Sequence, residues 1–189
     1  MIRVIGIDPG TATTGFAVLD AYEDDIQIVE FGLIETAKDL SPEKRLISIY
    51  TELNAIVDRH NPSILVIEKV FFSSNVKTAI RVGQAQGVML LSAAYKNIPV
   101  AEYAPGTIKK VVAGDGRADK KLMVEMVRVI LGPKAVGQVG KKTHFDNAAD
   151  ALAIAMTHIY TTDVTEKLKK FIDDVVPRKV DTKKKKSKT

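Results

Sequence analysis

Four acidic residues of this chain lie directly after apolar runs or inside an alanine-rich segment. Asp8 follows an apolar run and precedes Pro9-Gly10, and Glu68 follows a second apolar run. Asp146 and Asp150 are one helical turn apart and would share a face of a helix. A carboxylate beside a buried strand must be hydrated, paired or bound to a cation, so a cation-binding site is one of three possibilities at these positions.

Carboxylate oxygens that converge on one point suit Mg²⁺, which keeps coordination positions for water and phosphate oxygens. Two such ions about 4 Å apart could activate a water molecule and stabilise the departing 3′ oxygen in an in-line displacement. A single carboxylate at a strand end is usually only a turn or cap residue. The hypothesis of metal-dependent phosphoryl chemistry therefore depends on Asp8, Glu68 and Asp150 meeting, and other functions of small α/β proteins stay open.

Short apolar runs predict the strands that carry these carboxylates. Residues 2–7, 15–19 and 26–34 are joined by tight turns and predict an antiparallel meander of three strands. Residues 64–67 follow Asn61-Pro62 and predict a strand buried on both faces. If the first and fourth strands are neighbours, Asp8 lies beside Glu68.

Helical spacing of apolar residues predicts the elements that flank the sheet. We expect helices over about 41–60, 75–95, 107–112, 118–131 and 146–160, and a short strand over about 98–103. Residues 132–143 predict a glycine-rich, partly mobile loop. The order βββαβαβααα indicates an α/β domain with a mixed sheet between helices.

Length and charge predict one domain and a basic tail. The chain has 189 residues, 46% of them hydrophobic, which suffices for one core, expected over residues 1–160. The formal net charge is +5, and five lysines lie among the last seven residues. Residues 161–189 are expected to form a polar helix to about Phe171 and, from Pro177, a disordered tail. A polyanionic partner fits this charge.

The chain contains no cysteine, so disulfides, thiolate nucleophiles and cysteine-based zinc sites are excluded. This composition fits a reducing compartment. The first apolar run is too short to cross a bilayer and lacks the features of a signal peptide. We expect a cytoplasmic protein without a membrane partner.

Five segments, taken in order, resemble the RuvC family of Holliday-junction resolvases. They are Gly6-Ile7-Asp8-Pro9-Gly10, Ile67-Glu68-Lys69-Val70-Phe71, Gly83-Gln84-Ala85-Gln86-Gly87, Glu102-Tyr103 and the run from Ala148 to Ala155. The resemblance implies a ribonuclease H-like fold with a five-stranded mixed sheet and a two-fold homodimer. It also implies Mg²⁺-dependent cutting of symmetric strands at a four-way DNA junction in recombination and repair, and cooperation with a branch-migration motor.

The resemblance assigns roles to residues of the catalytic site. Asp8, Glu68 and Asp150 match the metal-binding catalytic carboxylates of the family, for which two Mg²⁺ ions are expected and Mn²⁺ is an alternative. Phe71 matches an aromatic residue that stacks on a base near the junction centre. From the sequence alone, Phe71-Phe72 would more often be core residues, and the adjacent Glu68 together with the resemblance favours DNA stacking.

Other positions would contact the DNA backbone or a second subunit. Lys109 and Lys120 match basic positions of the family that face DNA. Lysine pairs on helices usually form a solvated surface, so the wider set contacts DNA only if it lines the cleft of the carboxylates: Lys109, Lys110, Lys120 and Lys121. The glycine-rich helix resembles the dimer interface of the family at Gly83, Gln84 and Gly87.

The chain departs from the family pattern at Asn147. The family usually has an aspartate, sometimes a histidine, three residues before the final aspartate. An amide oxygen can bind a cation but supplies no charge and cannot act as a base. Asp146 would substitute if the first helical turn were frayed, and His144 could also approach the site. An engineered aspartate-to-asparagine change would instead give a protein that binds junctions without cutting them.

Two other families share part of the pattern. The segment from Asp8 to Gly15 resembles the first phosphate loop of the actin and sugar-kinase superfamily, which would make the chain an ATP-binding phosphotransferase. That fold needs two duplicated halves and further nucleotide motifs, which we do not find in 189 residues. A ribosomal-RNA-processing nuclease shares the first strand motif but does not account for the segment from Glu68 to Phe71.

Overall fold

A computed structural model describes residues 1–23, 25–70, 76–132 and 142–162. The strands in these ranges are β1 (Ile2–Asp8), β2 (Thr13–Ala21), β3 (Ile26–Glu35), β4 (Ile64–Glu68) and β5 (Val100–Tyr103). The helices are α1 (Pro42–His60), α2 (Val76–Tyr95), α3 (Pro105–Ala113), α4 (Lys120–Leu131) and α5 (Lys142–Thr161). Side chains of α5 are described from Ala148 onward.

The five strands form one mixed sheet in the order β3-β2-β1-β4-β5. Strands β1, β2 and β3 are paired antiparallel, whereas β1 with β4 and β4 with β5 are parallel. Ile7 of β1 is in register with Ile67 of β4. The predicted meander and the five-stranded mixed sheet are thus confirmed, and the first and fourth strands are neighbours, as the meeting of Asp8 with Glu68 requires.

Side-chain alternation divides the core into two layers, one on each face of the sheet. Val4 and Val66 pack with α3, α4 and α5 in one layer. Ile5, Ile7 and Ile67 pack with α1 and α2 in the other. The buried strand β4 therefore contributes to both layers, as its continuous apolar sequence predicts.

The contact between α5 and the sheet is close because β1 has a glycine where the helix crosses it. A Cβ atom at Gly6 would lie 2.4 Å from the Ala151 carbonyl oxygen and 2.8 Å from the Ala155 Cβ. No side chain fits in that space without moving the helix. Small residues on both elements thus fix how near α5 lies to β1.

Several element boundaries differ from the prediction for local reasons. Strand β5 begins at Val100, because Pro99 has no amide hydrogen and the Ile98 amide donates to the Ala93 carbonyl oxygen at 2.9 Å. Helix α3 begins at Pro105, a residue favoured in a first helical turn. Helix α4 begins after Asp119, whose carboxylate accepts from the Leu122 amide at 2.8 Å.

Helix α5 begins at Lys142, four residues before the predicted start. Lys142 and Thr143 are therefore helical, and their assignment to a loop is wrong. The rest of that predicted loop from residue 133 onward, the polar helix to Phe171 and the lysine tail lie outside the described residues. The domain boundary near residue 160 stays a prediction. In the described part of the chain no helix combines the length and apolarity of a membrane span.

Candidate active site

Two of the predicted carboxylates lie at adjacent strand ends on the same face of the sheet. Asp8 is the last residue of β1 and Glu68 the last residue of β4. Their strands are parallel and Ile7 is in register with Ile67, so the two residues leave the sheet side by side. Since Ile7 and Ile67 face α1 and α2, alternation directs Asp8 and Glu68 to the α5 face.

The third carboxylate comes from α5. Asp150 immediately precedes Ala151, the residue whose carbonyl oxygen lies over Gly6. Gly6 is two residues before Asp8 on the same face of β1. Asp8, Glu68 and Asp150 consequently line one cavity of about 300 Å³.

Two of the four predicted basic residues reach this cavity. Lys109 of α3 lines it, and the Nζ atom of Lys120 lies 3.2 Å from Oδ2 of Asp150. Lys110 and Lys121 are exposed and are not among the residues that line the cavity. The remaining wall is mostly apolar and is formed by Pro105, Ile108, Met123, Ala153 and Ile154.

Partial burial and mutual repulsion raise the pKa of two carboxyl groups in the cavity. The pKa of Asp8 is raised to about 7, first by desolvation and then by the negative charges of Asp150 and Glu68, while Lys120 opposes the shift. The pKa of Glu68 is raised by desolvation and by Asp150, and Lys109 opposes it. The protein thus holds negative charge here that the two lysines only partly compensate.

The donor set fits a divalent cation. Three carboxylates offer hard oxygen ligands, and their repulsion would be relieved by positive charge placed between them. Among the described side chains, no three acidic or histidine groups stand as a ready-made metal-binding cluster. Binding would require small movements of these carboxylates, including displacement of the Lys120 ammonium group from Asp150.

Several predicted site residues lie outside what the structure describes. Phe71 and Phe72 fall in the gap before α2. Positions 144, 146 and 147 lie on the backbone of α5, but the side chains of His144, Asp146 and Asn147 are not described. Because α5 begins at Lys142, position 146 lies beyond the first helical turn. It is therefore not in a frayed first turn, the condition under which Asp146 was expected to replace a carboxylate at position 147.

The predicted subunit contact lies on an exposed face of α2. Gly87 and Gln84 are exposed, Gly83 is half-buried, and a Cβ atom at either glycine would meet nothing within 4 Å. Large apolar side chains continue this face at helical spacing, with exposures of 56%, 54%, 51% and 72% for Val76, Ile80, Leu91 and Tyr95. We call these seven residues the α2 face.

Sequence reasoning missed the steric role of Gly6 and the pairing of Lys120 with Asp150. A glycine two residues before a candidate ligand, inside an otherwise apolar strand, is the signal that marks close backbone approach. No comparable signal marks the ion pair, since Lys120 and Asp150 are far apart in sequence and meet only through the packing of α4 against α5.

Comparisons with known proteins identify the family of this chain. The sequence profile of the family described as Crossover junction endodeoxyribonuclease RuvC matches residues 4–158. The RuvC endonuclease of Chloroflexus aggregans is 43% identical over 166 residues, which are 88% of this chain and 98% of the relative. That of Caldicellulosiruptor saccharolyticus is 40% identical over 162 residues, which are 85% and 94%.

Solved structures show the same similarity. Thermus thermophilus RuvC in complex with a Holliday junction substrate superposes with a TM-score of 0.75 at 30% identity, covering 85% of this chain and 94% of that one. The yeast mitochondrial Holliday junction resolvase has a TM-score of 0.65 at 19% identity, with 92% and 82% covered, and shows the shared ribonuclease H-like fold. With a family match over most of its length, the chain belongs to the RuvC family of crossover junction endodeoxyribonucleases.

Proposed function

We propose that the chain is a Mg²⁺-dependent endonuclease that resolves four-way DNA junctions by cutting two symmetric strands. The observation that carries the proposal is the convergence of Asp8, Glu68 and Asp150 in one partly buried cavity beside Lys109 and Lys120. Nucleases of this family depend on divalent metal ions. Cooperation with a branch-migration motor is proposed from the family resemblance alone.

Asp8, Glu68 and Asp150 would hold the metal ions. Mg²⁺ bound there supplies Lewis-acid activation of water and stabilisation of negative charge on the departing oxygen. For this role the Asp8 carboxyl group must lose its proton, and positive charge bound nearby would favour that loss by lowering its raised pKa. The apolar wall around Ile108 and Met123 lowers the local polarity and strengthens the interaction between the carboxylates and a cation.

The two lysines of the cavity would act on the DNA phosphates. Lys109 offsets the charge of Glu68, and Lys120 is bound to Asp150. With Asp150 holding a metal ion, the Lys120 ammonium group that now pairs with it would be free to contact a phosphate of the bound strand. Lys110 and Lys121 are not among the residues that line the cavity. They stay predicted DNA contacts, as do Phe71 and Phe72, which the structure does not describe.

Replacing Glu68 with Gln should lower single-turnover cleavage of a mobile four-way junction at least about 100-fold, the scale seen when one electrostatic group of a reaction centre is lost. Junction affinity should change little, because the substitution removes a metal ligand and leaves the basic residues. Cleavage and gel-shift binding are measured with Mg²⁺ and with chelator.

The matched control is Glu125→Gln, which removes the same charge from an exposed position of α4 that does not line the cavity. This control should cut like the parent chain. Equal cleavage by the Glu68 variant and the parent, or cleavage that persists in chelator, would contradict the proposed function.

A second candidate function is junction binding without efficient cleavage, and Asn147 is the observation that favours it. Two Mg²⁺ ions bring four positive charges, whereas Asp8, Glu68 and Asp150 supply three negative ones. A carboxylate at position 147 would add a fourth. Helical periodicity puts positions 146 and 147 on the same side of α5 as position 150, so Asp146 is the alternative source of that charge.

Asn147→Asp should raise the single-turnover cleavage rate by orders of magnitude at low millimolar Mg²⁺ with little change in junction affinity. The gain would reflect transition-state stabilisation by the restored charge. Asp146→Asn is the matched variant, measured in the same assay. If Asp146 already supplies the charge, the result inverts, because Asp146→Asn abolishes cleavage and Asn147→Asp changes almost nothing.

We further propose that the chain acts as a two-fold homodimer joined through the α2 face. Symmetric cutting of two strands needs two equivalent sites, which a two-fold axis supplies. The α2 face supports this arrangement because it combines four exposed large apolar side chains with two glycines that allow close helix approach. A second copy of the same face would cover these apolar side chains.

Leu91→Glu on this face should convert the dimer into a monomer at micromolar concentration, because it would bury two uncompensated charges at the two-fold contact. Sedimentation velocity measures the change. Ile47→Glu is the control, since Ile47 is 63% exposed on α1 and lies outside the α2 face. A dimer that survives Leu91→Glu, or a parent chain that is monomeric while cutting both strands, would exclude this interface.

A further inference from the structure

A second cavity, of about 360 Å³, lies between the β1–β2 loop, α1 and α2. Three cationic side chains line it, Lys38, Arg45 and Arg81, and none of its described lining residues is acidic. An adjoining cavity of about 570 Å³ shares Arg81 and adds Lys77. We call these four residues the α1–α2 basic cavity.

Hydrogen bonds hold the wall of this cavity in place. The Thr36 amide donates to the Ala12 carbonyl oxygen at 3.0 Å, and the Thr36 hydroxyl donates to the Thr11 carbonyl oxygen at 2.7 Å. The Arg45 guanidinium donates to the Thr36 hydroxyl oxygen at 2.7 Å and to the Lys38 carbonyl oxygen at 2.9 Å. The β1–β2 loop is thereby tied to the segment that leads into α1.

In the described part of the chain no ion pair neutralises the cations of this cavity. The acceptors of Arg45 are neutral oxygens. Glu43 is close in sequence but accepts a hydrogen bond from the Ser41 hydroxyl and does not line the cavity. Fixed cations without carboxylates attract an anion.

The position of the cavity relates it to the candidate active site. Thr11 and Ala12 belong to the loop that begins immediately after Asp8. The carboxylates face α5 on one side of this sheet edge, and the α1–α2 basic cavity faces α1 and α2 on the other. A strand of DNA laid across the edge would meet Lys109 and Lys120 on one side and Lys38 and Arg81 on the other.

We propose that the α1–α2 basic cavity binds backbone phosphates of the junction DNA next to the cleavage site. The proposal rests on the proposed nuclease function and adds a phosphate-binding site on the opposite side of the β1–β2 loop. Arg45 mainly holds the loop, whereas Lys38 and Arg81 supply the charges that contact phosphate. A free phosphate or a nucleotide shares this chemistry and is distinguished by the experiment.

The test compares Lys38→Gln, Arg81→Gln and the double variant with Lys96→Gln in the full-length protein. Lys96 follows the far end of α2, about 20 Å along the helix from Arg81, and is paired with Asp58. Junction and duplex affinities are measured as a function of salt, together with cleavage at saturating junction, sedimentation velocity and binding of a mononucleotide.

Each single cavity variant should weaken binding to junction and duplex alike and lower the slope of log K against log salt by about 1, and the double variant by about 2. Lys96→Gln should leave both the slope and cleavage at saturating junction unchanged. The inference would be overturned if the cavity variants had the same slope as Lys96→Gln or lost only the binding of the mononucleotide. A change in the oligomeric state of these variants in place of the change in slope would overturn it as well. A parent chain that neither binds nor cuts junctions would refute the proposed function itself.

Discussion

The close packing of α5 against the backbone of β1 at Gly6 is the constraint on which the site depends. It places Ala151 over the strand and therefore Asp150 next to Asp8 and Glu68. Any side chain at position 6 would push the helix away and separate the three carboxylates. The close contact thus requires both the small alanine side chains of α5 and the glycine in β1. It brings the three carboxylates, and their negative charge, together.

This concentration of charge opposes folding, and the two apolar layers of the sheet must offset it. Both layers contain fully buried aliphatic side chains, such as Leu152 with α5 and Ile7 with α1 and α2. Around the acidic centre the cations lie on either side, with Lys109 and Lys120 towards α3 and α4 and the α1–α2 basic cavity beyond the β1–β2 loop. The carboxylates in the centre favour binding of a metal ion, and the cations on both sides of them favour a polyanion laid across this edge of the sheet. This arrangement suits metal-dependent cutting of DNA.

Local sequence patterns predicted the strands and the antiparallel meander, because apolar runs and tight turns determine these features directly. The meeting of Asp8 with Glu68 depended on the first and fourth strands being neighbours, a long-range pairing that those local patterns do not determine. The start of α5 was misplaced, since the polar residues before Asp146 carry no apolar periodicity. The α1–α2 basic cavity was not predictable, as Lys38, Arg45 and Arg81 are brought together only by tertiary packing. The ion pair of Lys120 with Asp150 is long-range for the same reason.

The most direct test of this account is the free energy of unfolding in chelator from about pH 4.5 to pH 8, for the parent chain and Asp8→Asn. The folded pKa of Asp8 is raised to about 7 from 3.8, so the folded state binds the proton more tightly than the unfolded state. Its contribution to stability is therefore greatest at acidic pH and is lost as the pH rises towards 7.

The parent should lose stability relative to Asp8→Asn by up to about 1.4 kcal/mol per pH unit over that interval. Added Mg²⁺ should restore the stability of the parent above pH 7 and have little effect at pH 5, because the cation binds only the ionised carboxylates. Parallel stability curves for the two proteins, with no pH-dependent effect of Mg²⁺, would contradict the claim that repulsion among partly buried carboxylates defines the site.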